Sequence, residues 1–467
     1  MDAEKIHSYV DNLWTNSIIP ELIEYVRIPN KSPAFDKEWR EHGYIDQVVT
    51  RFEAWARKHP LKGMKFEVQR VDNRTPLILI DIPGQTDDCI LLYGHLDKQP
   101  EMTGWREGIG PWQPAIEGDR LYGRGAADDG YSMFACLAAI GALQNAGIPH
   151  ARCVVIIEAC EESGSFDLPT HIERLGDRIG KPTLVIGLDS GCGNYEQLWC
   201  TTSLRGLAGG TLKVEVMTEG IHSGNSGIVP DSFRIARQLL NRIEDEKTGE
   251  VLVRDYHVTI PPSRIEEASA AAAILGDELR KEFPFVEGAR PNSDDPAELI
   301  LNRDWRPALS IIGQGGIPEI GNAGNVLRPM TALKLSLRIP PGCDAKKANA
   351  SMKEILEKDP PYGAKVSFSG DWAAAGWNAP ELAPWLGKSL EAASQRWFGK
   401  PAAYMGLGGT IPFMAMLGEK FPQAQFLITG VLGPHSNAHG PNEFLHIPFA
   451  KKLTCSVAEV IADHFKR

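Results

Sequence analysis

The sequence predicts an α/β fold, with a mostly parallel central sheet flanked by helices and a separate α+β sandwich inserted into the chain. Short apolar runs at residues 89–93 and 153–157 are typical of strands buried on both faces of a parallel sheet, and helical patterns alternate with them. Residues 211–216 instead alternate between apolar and polar side chains, as in an antiparallel strand with one exposed face. The change of pattern indicates two kinds of sheet.

Composition sets the class of protein. The 467 residues are 43% hydrophobic and 23% charged, ordinary values for a globular protein with room for more than one domain. The formal net charge of -11 argues against nucleic-acid or anionic-membrane partners. The first residues predict an amphipathic helix and no signal peptide, and no apolar run has transmembrane length. Eight cysteines without a C-x-x-C pair favour buried free thiols, so we expect a cytoplasmic protein.

His95 and Asp97 follow the apolar run at 89–93. Ligands of open α/β sheets bind outside the carboxyl ends of the strands, so these side chains lie where chemistry is usually done. With one residue between them on an extended backbone they share a face, and the carboxylate can accept the second N–H of a metal-binding imidazole. Taken alone, the pair could equally be a strand end followed by a turn.

Two acidic pairs lie at comparable junctions. Asp128 and Asp129 separate a Gly- and Trp-rich connection from the apolar pattern of a buried helix, and N-capping would account for one of the two carboxylates. Glu161 and Glu162 follow the run at 153–157. Adjacent like charges repel unless a cation holds them, although a solvated loop explains this pair alone more simply.

Two further apolar runs, at 184–188 and 426–430, lead to Asp189 and to a loop that contains His439. Two histidines and three carboxylates suit two zinc-like ions, with one carboxylate shared and another residue left free as a base. We favour this interpretation because separate capping, turn and loop roles would not explain why each strand places its polar group at the same end.

Five sequence blocks, in order along nearly the whole chain, resemble those of the co-catalytic zinc hydrolases. That family includes carnosinases, acetylornithine deacetylase, succinyl-diaminopimelate desuccinylase, aminoacylase and carboxypeptidase G. The block at 161–165, the Trp-containing loop before Asp128 and the segment 408–412 are most similar to carnosinase-like dipeptidases. The resemblance implies a zinc-exopeptidase-like catalytic domain. The blocks are residues 94–97, 123–130, 161–165, 188–191 and 439–443.

The resemblance also implies individual roles at the strand ends. Glu161 would be the general base, and Asp97 would orient His95. The peptide bond between Asp128 and Asp129 would be cis, with Asp129 standing where many members carry Asn. Two divalent ions would be bound, with zinc preferred over manganese or cobalt. The implied metal ligands are His95 and Asp189 for one ion, Glu162 and His439 for the other, and Asp128 as the bridge.

After Arg205 the sequence pattern changes, and helical patterns at 231–243 and 265–283 accompany the alternating strands. The resemblance implies an inserted lid and dimerisation domain at residues 206–380, between catalytic segments 1–205 and 381–467. In the insert, His222 would stabilise the oxyanion, commonly from the partner subunit of a homodimer. Asn325 and Arg338 would bind the carboxylate of the substrate, for which a bidentate guanidinium is well suited.

Two loops of the second catalytic segment complete the expected site. Gly408, Gly409 and Thr410 are implied to bind substrate, with Thr410 standing where many members carry Ser. His435 competes with His439 for the role of metal ligand, and we prefer His439 because the block at 440–443 follows it.

The resemblance implies metal-dependent hydrolysis of an amide bond in a dipeptide or short peptide with a free C-terminal carboxylate. Glu161 would take a proton from a water held between the two ions. An N-acyl amino acid deacylase would use the same site. A catalytically silent binding module is a third candidate, against which the presence of Glu161 speaks. The sequence lacks G-x-S-x-G and H-E-x-x-H motifs, which argues against a serine hydrolase and a helix-based single-zinc protease.

Overall fold

The computed structural model describes residues 2–467, without the side chain of Pro412. It has the predicted α/β fold. The α-helices are α1 (Ala3–Leu13), α2 (Ile19–Val26), α3 (Trp39–His42), α4 (Tyr44–Lys58), α5 (Ser132–Ala146), α6 (Leu168–Ile179), α7 (Ser232–Leu240), α8 (Pro262–Leu275), α9 (Glu278–Lys281), α10 (Pro296–Asp304), α11 (Ala345–Glu357), α12 (Pro384–Phe398), α13 (Pro412–Lys420) and α14 (Ile447–Lys466). The strands are β1 (Lys65–Gln69), β2 (Leu77–Ile82), β3 (Cys89–His95), β4 (Ala115–Glu117), β5 (Arg120–Tyr122), β6 (Arg152–Glu158), β7 (Pro182–Gly187), β8 (Trp199–Leu204), β9 (Gly206–Glu215), β10 (Ile221–His222), β11 (Ala308–Gly315), β12 (Val326–Leu327), β13 (Met330–Ile339), β14 (Lys365–Ala374), β15 (Trp377–Asn378), β16 (Ala403–Leu407), β17 (Gln425–Ile428) and β18 (Phe444–His446).

The central sheet has the strand order β1-β2-β6-β3-β7-β17. Strands β6, β3, β7 and β17 are parallel neighbours, and β1 and β2 add an antiparallel edge. These four parallel strands are the apolar runs of the sequence. Their carboxyl ends meet at one edge of the sheet, which is where the polar side chains are expected to converge.

Both faces of the central sheet are covered, which explains why its strands are continuously apolar. In β3, Ile90 and Leu92 pack into a hydrophobic cluster with α1, α5 and α14, whereas Leu91 and Tyr93 pack into a second cluster with α6 and α13. Burying one such aliphatic side chain contributes about 1.5–3 kcal/mol. Packing on both faces therefore fixes the position of the strand end that carries His95.

A second, antiparallel sheet has the order β11-β13-β9-β14 and is covered by α7 and α11 with a hydrophobic cluster of its own. Residues along β13 alternate between half-buried and buried, as the sequence pattern predicts. Helices α8 and α10 instead place Leu275 and Leu301 in a hydrophobic cluster of the central sheet. Residues 206–380 therefore contribute to two cores, and the limits of the insert stay a prediction.

The structure also describes the cysteines and the apolarity of the helices. All eight cysteines are free thiols, and seven of them are buried. None of the helices within residues 2–467 combines the length and apolarity needed to cross a membrane. The connection after Gly94 differs from a simple loop, because it contains β4, which pairs with β5. Strand β5 also pairs with β18, which completes a small antiparallel sheet. The cellular compartment stays a prediction.

Candidate metal centre

Two groups of three side chains meet at the carboxyl edge of the central sheet and share Asp128. In the first triad, His95 Nε2 lies 3.2 Å from Asp128 Oδ1 and 3.7 Å from Asp189 Oδ2. In the second triad, His439 Nε2 lies 3.0 Å from Asp128 Oδ2 and 3.2 Å from Glu162 Oε2. The two oxygens of Asp128 thus face different histidines, as in a bridging carboxylate.

The spacing of these donor atoms fits tetrahedral divalent ions. Metal–ligand bonds of about 2.0–2.1 Å at tetrahedral angles place neighbouring donor atoms about 3.3 Å apart. The four distances between donors range from 3.0 to 3.7 Å. Glu162 Oε1 is buried and has no hydrogen-bond partner among the described residues, so it is free to bind a cation. The residues present therefore fit two ions that accept imidazole and carboxylate ligands.

The electrostatics of the cluster also favour cations. Burial and repulsion from Asp128 raise the pKa of Asp189 to about 7. Burial and the nearby Asp189 raise the pKa of Glu161 well above its ordinary value. Burial opposes the charged form of Asp128, but hydrogen bonds from His439 and His95 hold its pKa well below the usual range. Because carboxylates outnumber imidazoles in this buried space, bound cations would neutralise the excess negative charge.

Asp97 has a wider role than the predicted orientation of His95. The imidazole Nδ1 lies 3.1 Å from the backbone carbonyl oxygen of Asp97 and 3.5 Å from its carboxylate oxygen Oδ1. The two carboxylate oxygens accept the backbone N–H groups of Glu161 and Glu162, each at 3.1 Å. Asp97 therefore holds the short 3₁₀ turn Glu161–Ser163 against the strand end that carries His95.

The two acidic side chains of this turn are held differently. Glu162 Oε2 accepts a hydrogen bond of 2.6 Å from Gln99 Nε2 and faces the second triad. The Glu161 carboxylate accepts no hydrogen bond from the described residues, although its backbone is fixed by Asp97. This difference suits one residue to hold a metal and the other to move a proton.

A buried ion pair, to which the sequence analysis assigned no role, joins the loops of Asp128 and His439. Arg124 Nη1 donates to Glu443 Oε2 at 2.6 Å, and both side chains are at most 1% exposed. Arg124 Nη2 also donates to the carbonyl oxygen of His439 at 3.1 Å. Glu443 Oε1 accepts the backbone N–H of Asp128 at 3.3 Å and two further N–H groups of the same loop. The ion pair therefore holds the loops of Asp128 and His439, two members of the second triad, next to each other.

Glu158 is another buried carboxylate that the sequence analysis left without a role. It ends β6, directly beside His95 in the parallel register. Its Oε1 accepts hydrogen bonds from Tyr93 Oη at 2.7 Å and from Ser165 Oγ at 2.9 Å, and burial raises its pKa to about 7. Glu158 thus anchors the loop that follows Glu161. Because it directly follows an apolar run in the sequence, its place beside the site could have been predicted.

The expected substrate residues fall into two groups. Arg338 Nη1 donates to Thr410 Oγ1 at 3.1 Å, and Thr410 Oγ1 donates to the backbone carbonyl of Arg205 at 2.6 Å. The side chain of Arg205 donates from Nε to the carbonyl oxygen of Gly408 at 3.3 Å. A side chain at Gly409 would meet open space. The structure therefore brings Arg338 together with the loop 408–410.

His222 and Asn325 lie elsewhere, on the small ribbon formed by β10 and β12. The backbone of Ser223 donates to the carbonyl oxygen of Asn325 at 2.9 Å. His222 is exposed, and its Nδ1 accepts the N–H of Gly224 at 3.0 Å, so a neutral ring carries its proton on Nε2. No hydrogen bond or ion pair among residues 2–467 links this ribbon to the triads.

Two smaller expectations concern the loops around the triads. His435 is exposed and belongs to neither triad, whereas His439 belongs to the second. The peptide bond between Asp128 and Asp129 is cis, as the resemblance implies.

The chain matches one protein family and several characterised relatives. The "Cysteinylglycine-S-conjugate dipeptidase" of Corynebacterium striatum is 27% identical over 454 residues, which are 91% of this chain and 95% of that protein. The Homo sapiens "Beta-Ala-His dipeptidase" is 25% identical over 490 residues, 99% of this chain and 93% of that protein.

Solved structures share the fold. The di-peptidase Dug1p from Saccharomyces cerevisiae superimposes with a TM-score of 0.79 at 20% identity, covering 99% of this chain and 98% of that one. Human carnosine dipeptidase 1 gives a TM-score of 0.75 at 21% identity, with 99% of both chains covered. Residues 91–463 match the profile of peptidase family M20/M25/M40. Because this match extends over far more than half of the chain, the protein belongs to peptidase family M20/M25/M40.

Proposed function

We propose that this protein is a metal-dependent dipeptidase, which hydrolyses the amide bond of dipeptides or short peptides with a free C-terminal carboxylate. The observation that carries the proposal is the pair of triads that share Asp128, with Glu161 beside them and free of other partners. The names of the two curated relatives describe dipeptidases, which supports this substrate class.

The metal ligands would be the members of the two triads. His95 and Asp189 would hold one divalent ion, Glu162 and His439 the other, and Asp128 would bridge them. The ligand types favour zinc, although manganese or cobalt accept the same donors. When bound, the ions would supply Lewis acidity and would lower the pKa of the attacking water.

Glu161 would act as general base and then as general acid. Its carboxylate would take a proton from the attacking water and deliver it to the leaving amine, which requires a pKa near neutrality. Burial raises the pKa of Glu161, and neighbouring cations would lower it again toward that range. Asp97 keeps the side chain in position through the turn Glu161–Ser163.

Arg338 would read the free carboxylate of the substrate. Its guanidinium is partly desolvated beside Thr410, and such a group binds a carboxylate with two parallel hydrogen bonds. The absence of a side chain at Gly409 would let the substrate approach the backbone of this loop, whereas a side chain at Gly408 would meet Arg303 and Arg205.

His222 would complete the site from a second subunit of a homodimer. It is exposed, it presents an N–H donor at Nε2, and it makes no contact with the triads of its own chain. Strand β11, at the edge of the antiparallel sheet, exposes Ile311 and Ile312 by 46% and 58%. An exposed apolar edge strand is a natural surface for pairing with another chain, here within the proposed insert 206–380.

The test compares four substrate sets: dipeptides, tripeptides, C-terminally amidated dipeptides and N-acetyl amino acids. Each is offered to zinc- or manganese-loaded protein and to a chelated control. We expect metal-dependent cleavage of dipeptides with a free carboxylate and little cleavage of the amides. A preference for N-acetyl amino acids would assign the site to a deacylase, and no turnover with two bound ions would support a silent binding module.

A further inference from the structure

A cavity separate from the triads lies between the antiparallel sheet and the helices α9 and α10. Its walls come from residues 248–251, from the segment 279–308 and from Arg205 and His257, and none of the triad residues lines it. The cavity measures about 750 Å³. This volume lies within the range of about 300–1,000 Å³ that small-molecule sites occupy.

The walls of this cavity are strongly positive, although the chain as a whole is acidic. Five arginines and one glutamate, Glu250, line it, whereas the net charge of the chain is -11. Two of the arginines pair with carboxylates at 2.7 Å: Arg303 with Asp304, and Arg306 with Glu298. The arginines that remain are Arg205, Arg280 and Arg290.

These remaining arginines pair with no carboxylate of the described residues. Arg205 is only 9% exposed and donates to backbone carbonyls, among them that of Gly408 at 3.3 Å. Arg280 donates to the carbonyl of Asp294, and its buried Nε has no partner within residues 2–467. Arg290 makes no hydrogen bond to the described part of the chain. The buried Arg205 and the buried Nε of Arg280 lack a counter-charge, and Arg290 adds a further unpaired charge at the exposed rim. Because a desolvated cation is costly without a counter-charge, a ligand that fits this cavity carries negative charge.

Aromatic side chains give the same cavity an apolar wall. Phe283 and Phe285 line it and are 49% and 46% exposed. Exposed aromatic rings beside guanidinium groups favour a ligand with a flat, apolar part. We propose that the cavity binds a small organic anion that carries two or more negative charges on an apolar or aromatic body.

The cavity is connected to the loop that is proposed to bind substrate. Arg205 reaches the carbonyl oxygen of Gly408 with its side chain, and its own carbonyl accepts the hydroxyl of Thr410. Thr410 in turn contacts Arg338. An anion that attracts Arg205 would move this loop relative to Arg338, so occupancy should change KM for dipeptides more than kcat. This kinetic effect rests on the proposed function, whereas binding of the anion does not.

The experiment is calorimetry of the metal-loaded, full-length protein with naphthalene-1,5-disulfonate, an aromatic dianion that is a weak metal ligand. We expect saturable binding of one molecule per chain that weakens as salt is added. Inorganic sulfate, which lacks the apolar body, should bind more weakly. Arg280→Ala and Arg290→Ala should each weaken binding about tenfold or more, because each removes a charge-assisted hydrogen bond. Arg290 is exposed, so its replacement leaves the fold intact.

Two further variants locate the bound probe. Arg254→Ala changes an exposed arginine of the same insert that does not line the cavity, and it should bind the disulfonate like the parent. Arg338→Ala should retain disulfonate binding while losing affinity for dipeptides. The proposal is overturned by an absence of saturable binding, by unchanged binding in both cavity variants, or by a loss of binding in Arg338→Ala alone.

Discussion

The carboxyl edge of the central sheet and the ribbon of β10 and β12 differ in how firmly their own chain holds them. At the sheet edge, His95 is fully buried, and the surrounding loops are fixed by Asp97 and Glu443. On the ribbon, His222 is exposed and is positioned by its pairing with Val326 and one backbone N–H. We infer from this difference that the proposed metal ligands are preorganised within one chain, whereas the proposed oxyanion donor would depend on a second subunit.

The largest expected effect is the loss of turnover when the proposed base, Glu161, is replaced. Glu161→Gln should lower kcat about 10²–10⁴-fold, because the amide cannot accept the proton of the attacking water. Metal content should stay unchanged, since Glu161 belongs to neither triad. Steady-state kinetics and elemental analysis measure the two quantities. Glu38→Gln, which changes a carboxylate with 76% of its side chain exposed, is the control. Near-normal turnover of Glu161→Gln would refute the assignment.

A second change tests whether preorganisation of the sheet edge depends on the buried ion pair. Arg124→Met leaves Glu443 buried without its counter-charge, which should lower the free energy of unfolding by about 3–5 kcal/mol. Metal bound per chain should fall from two ions toward one, because the loops of Asp128 and His439 lose their common anchor. Urea unfolding and metal analysis measure both effects.

The double variant of the ion pair provides the control. Arg124→Met combined with Glu443→Gln should be destabilised by less than the sum of the single changes, because no buried charge is left unpaired. If Arg124→Met kept its stability and both ions, the ion pair would have no part in organising the second triad.

A smaller effect is expected at Arg338, which connects the antiparallel sheet to the loop 408–410. Arg338→Lys should raise KM for dipeptides about tenfold, because a lysine cannot form the two parallel hydrogen bonds of a guanidinium. The value of kcat should change little. KM for amidated dipeptides should be the same in the variant and the parent. Equal effects on acid and amide substrates would show that Arg338 does not contact the carboxylate.

An effect of the same size is expected at the proposed dimer surface on β11. Ile312→Lys on β11 should raise the dissociation constant of the proposed homodimer about tenfold, the equivalent of about 1.4 kcal/mol. Sedimentation velocity measures it. Ile116→Lys on β4 changes an isoleucine of similar exposure, 48%, away from this sheet, and should leave assembly unchanged. A dimer that tolerates Ile312→Lys would require another interface.

The sequence could predict what depends on local pattern. The apolar runs identified the four parallel strands, and the polar residues after them identified the edge at which both triads lie. The predicted helix at 265–283 was too long, because the chain turns at Gly276, whose φ of 53° interrupts it between α8 and α9. This glycine was visible in the sequence as a signal for a helix end.

Contacts between distant parts of the chain could not be predicted in this way. Arg124 and Glu443 stand 319 positions apart, and neither lies in a pattern that names its partner. The carboxylate of Asp97 was expected to face the ring of His95, from which its Oδ1 lies 3.5 Å. The sequence did not predict that its two oxygens also accept backbone N–H groups of the turn Glu161–Ser163. Such partners depend on the packing of separate loops and not on spacing along the chain.

The most direct test of the central claim mixes two inactive proteins, His222→Ala and Glu161→Ala, under conditions in which subunits exchange. If His222 acts across the interface, each heterodimer contains one complete site. Half of the dimers in an equal mixture are heterodimers, so activity should return to about a quarter of the parent value. Activity no higher than the sum of the two separate variants would contradict an active site shared between subunits.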